Sequence, residues 1–207
     1  VPRARLSTRR LLGLDRSGPP PPQTAPDAPL HPWTIPNAIG YVRAALIPLI
    51  LIFAYSSRSG TVPAVGICFW LAGAGDYADG IAARITGQYS RLGSLLDPVL
   101  DRLLAVCGLA ICWSYELLPR WLVAIVVGRE VLMLALGQAW VRRGLPIRIN
   151  WPGRIAVGPT LFGIWLALLG VRGVGEAFIL VGIALALLAT GYYLRDGVRE
   201  MRRSDAA

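Results

Sequence analysis

The chain has 207 residues, 55% of them hydrophobic and 16% charged, with a formal net charge of +9 and a mean hydropathy of +0.53. So much apolar residue against so little charge excludes a soluble globular domain and points to an integral membrane protein. All 21 basic residues are arginine, and they stand in short clusters between long apolar runs. That pattern suits membrane lipids with anionic headgroups and phosphorylated substrates, not nucleic acid, which needs a continuous basic face.

Residues 1–32 hold Arg3, Arg5, Arg9, Arg10 and Arg16, then prolines from Pro19 to Pro32. No apolar run there is long enough for a signal-peptide core, and the composition predicts a disordered, Arg/Pro-rich cytoplasmic tail. The Arg-rich start with Ser7 and Thr8 leaves a mitochondrial targeting peptide as the alternative. His31, the single histidine, falls in this tail and is expected in solvent, not on a ligand.

Six apolar segments follow, at about 35–55, 62–83, 94–114, 119–141, 155–171 and 175–194. Each approaches the roughly 20 residues that a helix needs to cross a bilayer core. The tail, the 84–93 connection (Arg84, Arg91), the 142–154 connection (Arg142, Arg143, Arg148, Arg154) and the C-terminus (Arg195, Arg199, Arg202, Arg203) hold most of the arginines. The other connections offer only Arg58, Arg120 and Arg172. The positive-inside rule then makes both termini cytoplasmic. The expected fold is all-α, with six transmembrane helices over 33–195 and a basic cytoplasmic tail over 196–207.

Trp33, Trp70, Trp113, Trp121 and Trp151 fall near the ends of these spans, as an aromatic belt does. Cys68, Cys107 and Cys112 lie inside apolar runs without pairing or zinc-like spacing and read as inert core residues. Gly158, Gly163 and Gly182 are small enough to permit close helix contacts and a homodimer.

One stretch breaks the apolar pattern. It reads Asp76-x-x-Asp79-Gly80-x-x-Ala83-Arg84, eight residues, then Gly93-x-x-x-Asp97-x-x-x-Asp101. Carboxylates bordering an apolar core are costly without a compensating partner. On helices, Asp76 and Asp79 are i and i+3 while Asp97 and Asp101 are i and i+4, so each pair projects from one face. The short 84–93 connection makes the two helices antiparallel neighbours, and the four carboxylates converge at their predicted cytoplasmic ends. Like charges that close repel, and hard divalent cations resolve the conflict, because Mg²⁺ typically binds carboxylates together with substrate phosphates. Two such ions can polarise a phosphoryl group, and the fourth carboxylate can take a proton from an attacking hydroxyl. Gly80 keeps the approach to the metals clear, and Arg84, one turn further on, is placed for a diphosphate. Pro98 is expected in the first turns of the third span, where a missing N–H is tolerated. Simple ion pairing of the aspartates with Arg84, Arg91 and Arg102 is the alternative, but it does not require this Gly/Ala/Arg/Gly spacing.

The stretch closely resembles the motif of the CDP-alcohol phosphotransferase family, D-x2-D-G-x2-A-R-x8-G-x3-D-x3-D, with every specified position matched, and the likeness extends to a six-helix layout over about 33–195. The resemblance implies a CDP-linked donor, usually CDP-diacylglycerol, whose phosphatidyl group moves to an alcohol with release of CMP. It implies that Asp76, Asp79, Asp97 and Asp101 hold two Mg²⁺ or Mn²⁺ ions and that Asp101 is also the general base. Asn37, Gly80, Ala83, Arg84, Ser90 and Gly93 would line the CDP site.

The acceptor is read from shorter segments. Thr34 to Arg43, Gly128-Arg129-Glu130 and Trp151-Pro-Gly153-Arg154 resemble the branch that makes phosphatidylglycerophosphate or cardiolipin. Arg43, Arg129, Glu130 and Arg154 are therefore assigned to the acceptor, with an internal Arg129–Glu130 brace, donor binding by Arg43, and helix-interface hydrogen bonding by Arg43 and Asn37 as alternatives. In glycerol-3-phosphate enzymes the last segment usually reads G-K-x-K-T, and here Ala156 replaces one basic residue. That loss favours phosphatidylglycerol, giving cardiolipin, over glycerol-3-phosphate, with inositol phosphate a further alternative. A bacterial plasma membrane is the expected location, and a transporter or structural paralogue is the non-enzymatic alternative.

Overall fold

In a computed structural model of the chain, residues 21–25, 27–142 and 151–204 are described, with their side chains except at 140–142, 151–155 and 196–204. The six long helices are α1 (Ile35–Tyr55), α2 (Pro63–Thr86), α3 (Arg91–Ser114), α4 (Arg120–Arg142), α5 (Trp151–Leu168) and α6 (Arg172–Ser204), and no strand occurs among the described residues. The chain divides into two compact units, Val1–Arg58 with Val62–Cys107, and Ser59–Thr61 with Gly108–Ala207.

In the first unit, α1 starts where Thr34 caps it, its hydroxyl accepting from the Asn37 N–H at 3.3 Å, with proline in the first turn where a backbone donor is spare. Its buried residues are Asn37, Gly40, Arg43, Ile47, Ile50 and Ala54. The three- and four-residue steps put them on one stripe, and α1 packs against α2. The matching stripe of α2 runs through Val65, Phe69, Ala72 and Asp79, so the aspartate continues an otherwise apolar face. A left-handed Gly87, with φ of 67°, then stops α2.

Ser90 opens α3, its Oγ accepting from the Gly93 N–H at 2.9 Å. Because the helix begins at Arg91, Pro98 lies in its interior and not in its first turns. It is exposed, so the missing backbone bond falls on an outward face. Leu100, Leu104 and Cys107 continue inward from the aspartates. Residues 28–32, expected in the disordered tail, are tied to this unit: Leu30 O accepts from Leu92 N at 3.3 Å, and His31 O accepts from Asn37 Nδ2 at 2.9 Å. The His31 side chain is exposed.

In the second unit, α5 and α6 approach closely. A Cβ on Gly163 would lie 2.7 Å from the Gly175 carbonyl oxygen, and one on Gly175 would lie 2.8 Å from that of Gly163. Gly182 abuts Thr160 in the same interface, whereas Gly158 has nothing within 4 Å. Two of the three glycines read as dimer-permitting are thus used within one chain. α6 runs to Ser204, past the predicted end at 194, giving a helix of about 50 Å against a hydrocarbon core of about 30 Å.

Residues 35–55, 120–139 and 172–195 are long and apolar enough to cross a membrane. The apolar part of α5, Ala156–Leu168, is shorter, and α2 and α3 carry the aspartates. Apolar side chains such as Val106 on α3, at 61% exposure, and Leu188 on α6, at 59%, face outward. Cys68, Cys107 and Cys112 are free thiols.

Candidate active site

The stripe of α2 that packs on α1 delivers Asp76 and Asp79, and the second and third turns of α3 deliver Asp97 and Asp101. Carboxylate oxygens of Asp76, Asp79 and Asp97 all lie within 4.8 Å of one another. Asp79 is buried at 6% exposure, while the side chains of Asp76, Asp97 and Asp101 are 43–47% exposed. Asp101 stands outside the close trio.

Arg43 joins the two sets. Its Nη1 donates to Asp79 Oδ2 at 2.9 Å and to Asp76 Oδ1 at 3.2 Å, and stands 3.9 Å from Asp97 Oδ1. Its Nη2 donates to Asp101 Oδ1 at 2.7 Å. The Nε donates to the Ala72 carbonyl at 2.9 Å, so the guanidinium is anchored on the backbone of α2 as well as on the carboxylates. The side chain is 2% exposed and crosses α2 at Gly75, where a Cβ would lie 2.7 and 2.8 Å from Arg43 Cγ and Cδ.

Sequence reading assigned Arg43 to the acceptor, with helix-interface hydrogen bonding as an alternative, and named Arg84, Arg91 and Arg102 only in the disfavoured alternative of simple ion pairing. The guanidinium among the carboxylates is that of Arg43. The missed signal was its place on α1, an arginine in register with Gly40, Ile47 and Ile50 on the buried stripe. Gly75, which clears its path, was also missed.

Beside Asp79 and Asp97 opens a cleft of about 190 Å³ lined by all six residues assigned to the CDP donor: Asn37, Gly80, Ala83, Arg84, Ser90 and Gly93. Thr24, Gln88 and Tyr89, which sequence reasoning did not single out, complete the wall. The rim is held by hydrogen bonds. Ser90 Oγ donates to Asn37 Oδ1 at 2.8 Å, Asn37 Nδ2 donates to the carbonyls of His31 and Pro32 at 2.9 and 3.1 Å, and Gln88 Oε1 accepts from Ile35 N at 2.9 Å. A Cβ on Gly93 would lie 2.8 Å from Asn37 Oδ1, whereas one on Gly80 would meet the Arg84 guanidinium at an ordinary 3.5 Å.

Arg129 and Glu130 lie on α4 in the second unit, where Arg129 Nη1 donates to Glu130 Oε1, and Arg129 Nε is buried with no hydrogen-bond partner among the described residues. Arg154 falls outside the described side chains. Ala156 is buried at 4% exposure.

The donor set fits a hard divalent cation. At roughly 2.1 Å per metal–oxygen bond, adjacent ligands of an octahedral Mg²⁺ site stand about 3.0 Å apart and opposite ones about 4.2 Å, so the trio, now within 4.8 Å, would draw together on a cation.

The profile of the CDP-alcohol phosphatidyltransferase family matches residues 33–189. A cardiolipin synthase (CMP-forming) of Streptomyces coelicolor is 32% identical over 84% of this chain and 86% of its own length. A CDP-diacylglycerol–glycerol-3-phosphate 3-phosphatidyltransferase of Pseudomonas fluorescens is 28% identical over 81% of this chain and 96% of its own. The enzyme of the same name from Bacillus subtilis is 28% identical over 66% and 77%.

Proposed function

The chain belongs to the CDP-alcohol phosphatidyltransferase family, and on that premise we propose that it makes cardiolipin, moving the phosphatidyl group of CDP-diacylglycerol to phosphatidylglycerol with release of CMP. The names of the Pseudomonas and Bacillus relatives give CDP-diacylglycerol and glycerol-3-phosphate as substrates, and that of the Streptomyces relative gives cardiolipin and CMP as products. The observation that carries the reading is the meeting of Asp79 and Asp97 with the cleft that Arg84, Ser90 and Asn37 line.

In this reading, Asp76, Asp79, Asp97 and Asp101 would hold divalent metal, two Mg²⁺ or Mn²⁺ ions. When bound, the metal supplies Lewis-acid polarisation of the phosphoryl oxygens. Arg84 binds the diphosphate as a planar two-pronged donor. The Asn37–Ser90 pair fixes the rim on which the nucleotide rests. Asp101 accepts the proton of the acceptor hydroxyl as its oxygen bonds to the phosphatidyl phosphorus, and the bond from that phosphorus to CMP breaks, with CMP taking the electron pair.

Phosphatidylglycerol is preferred over glycerol-3-phosphate because Ala156 is buried, with its carbonyl 3.3 Å from the position of a Gly182 Cβ. A lysine there would lose its charge to packing or displace α6. The runner-up, glycerol-3-phosphate, rests on the names of the Pseudomonas and Bacillus relatives. We place all six helices across a bacterial plasma membrane with both termini cytoplasmic, on the strength of the arginine distribution. A water-soluble cytidine headgroup and a membrane-held diacylglycerol then meet the same aspartates. Purified protein given CDP-diacylglycerol and, separately, phosphatidylglycerol, glycerol-3-phosphate or inositol phosphate tests the choice: CMP release with phosphatidylglycerol supports it, and release with glycerol-3-phosphate alone overturns it.

A further inference from the structure

The guanidinium of Arg43 touches or approaches all four aspartates, is 2% exposed and is anchored on Ala72 O. Its stem is threaded past Gly75 without room for a Cβ. A surface arginine pairs and unpairs with little consequence. This one has no solvent-exposed alternative without unpacking α1 from α2, so its charge stays in the cluster. The four carboxylates therefore present three net negative charges to an incoming cation instead of four.

We propose that Arg43 is a resident counter-ion that sets the divalent-cation affinity of the aspartate cluster, holding the carboxylates together before metal enters and weakening the metal's hold once it does. The proposal rests on the reading of these aspartates as metal ligands. Its physical basis is twofold. Removal of one partner from a buried charged cluster leaves the remaining like charges uncompensated, and a positive charge a few ångströms from a metal opposes binding by direct repulsion.

The test is Mn²⁺ binding to the detergent-solubilised full chain, read by electron paramagnetic resonance, together with thermal unfolding in chelator and in saturating Mn²⁺. Arg43→Met and Arg43→Gln both remove the charge, and the Gln variant keeps an amide that can donate to the carboxylates. Both are expected to unfold several degrees earlier than the native chain in chelator, to regain most of that loss in Mn²⁺, and to bind Mn²⁺ at least about tenfold more tightly. Arg43→Lys keeps the charge and is expected within about threefold of native affinity. Unchanged or weaker Mn²⁺ binding in a folded uncharged variant overturns the proposal, as does equal tightening in Arg43→Lys, which would trace the effect to shape. Failure of both uncharged variants to fold even when purified in Mn²⁺ overturns it too, because the metal then does not replace the guanidinium. If the native chain binds no Mn²⁺, the assignment of the aspartates as ligands fails. If it binds and the variants match it, only the role of Arg43 fails.

Discussion

Asp101 Oδ1 accepts from Arg43 Nη2 at 2.7 Å, on the opposite fork of the guanidinium from the nitrogen that Asp76 and Asp79 share. The arrangement sets Asp101, the proposed base, apart from the other three carboxylates. Asp101→Asn keeps an oxygen for Arg43 but no basic carboxylate. Turnover is expected to fall by about 10²–10⁴ with Mn²⁺ binding at the trio retained. Asp79→Asn is expected to lose both. Paired turnover and Mn²⁺ titrations on the two variants check the split, and undiminished turnover in Asp101→Asn would remove the base.

Gly75→Ala tests the path of Arg43 independently of its charge. A methyl 2.7 Å from Arg43 Cγ must displace the stem, and overpacking of this kind costs about 1–3 kcal/mol. Gly128→Ala is the control, since a Cβ there meets nothing within 4 Å and replacing a helical glycine by alanine gains up to about 1 kcal/mol. Thermal unfolding should move in opposite directions for the two.

Two glycines of the cleft, Gly80 and Gly93, should also behave differently. Gly93→Ala puts a methyl 2.8 Å from Asn37 Oδ1 and 3.1 Å from Ser90 Oγ, so it breaks the rim and lowers both stability and activity. Gly80→Ala meets only the Arg84 guanidinium at 3.5 Å. It should fold with native stability and raise the KM for CDP-diacylglycerol by filling space that the ligand needs. A native KM in Gly80→Ala would put the donor elsewhere.

Arg84→Ala removes the proposed diphosphate contact. A lost charge-assisted hydrogen bond of about 1.5–3 kcal/mol corresponds to roughly 10- to 150-fold in donor affinity, measurable by titration of the CDP headgroup. Unchanged affinity would contradict the assignment.

The spacing from Asp76 to Asp101 made the aspartate pairs and their two helices legible, because helical periodicity and a four-residue connection from Gly87 to Ser90 leave few ways to join them. Gly80, Ala83, Arg84 and Gly93, which line the cleft, are positions of the same motif, whereas Asn37 and Ser90 are not. The contacts of Arg43 with the aspartates were not legible, because its partners lie 29 to 58 residues away and no local pattern links Arg43 on α1 to Gly75 on α2. The boundary errors have local causes. Ser90 caps α3 three residues earlier than hydropathy placed its start, and α6 continues through Arg195 because a polar sequence can extend a helix that leaves the apolar layer. The segment before α1 looked featureless because its ties use the backbone carbonyls of Leu30, His31 and Pro32, and those do not depend on side-chain identity.

The central claim is that these aspartates run a CMP-releasing phosphatidyl transfer. It is tested most directly by incubating the purified chain with CDP-diacylglycerol, phosphatidylglycerol and Mn²⁺ and quantifying CMP and cardiolipin in the same sample. The account predicts equimolar CMP and cardiolipin, abolished by chelator and restored by Mn²⁺. Product formation that persists in chelator, or no CMP with phosphatidylglycerol or any other glycerol-type acceptor, would contradict it.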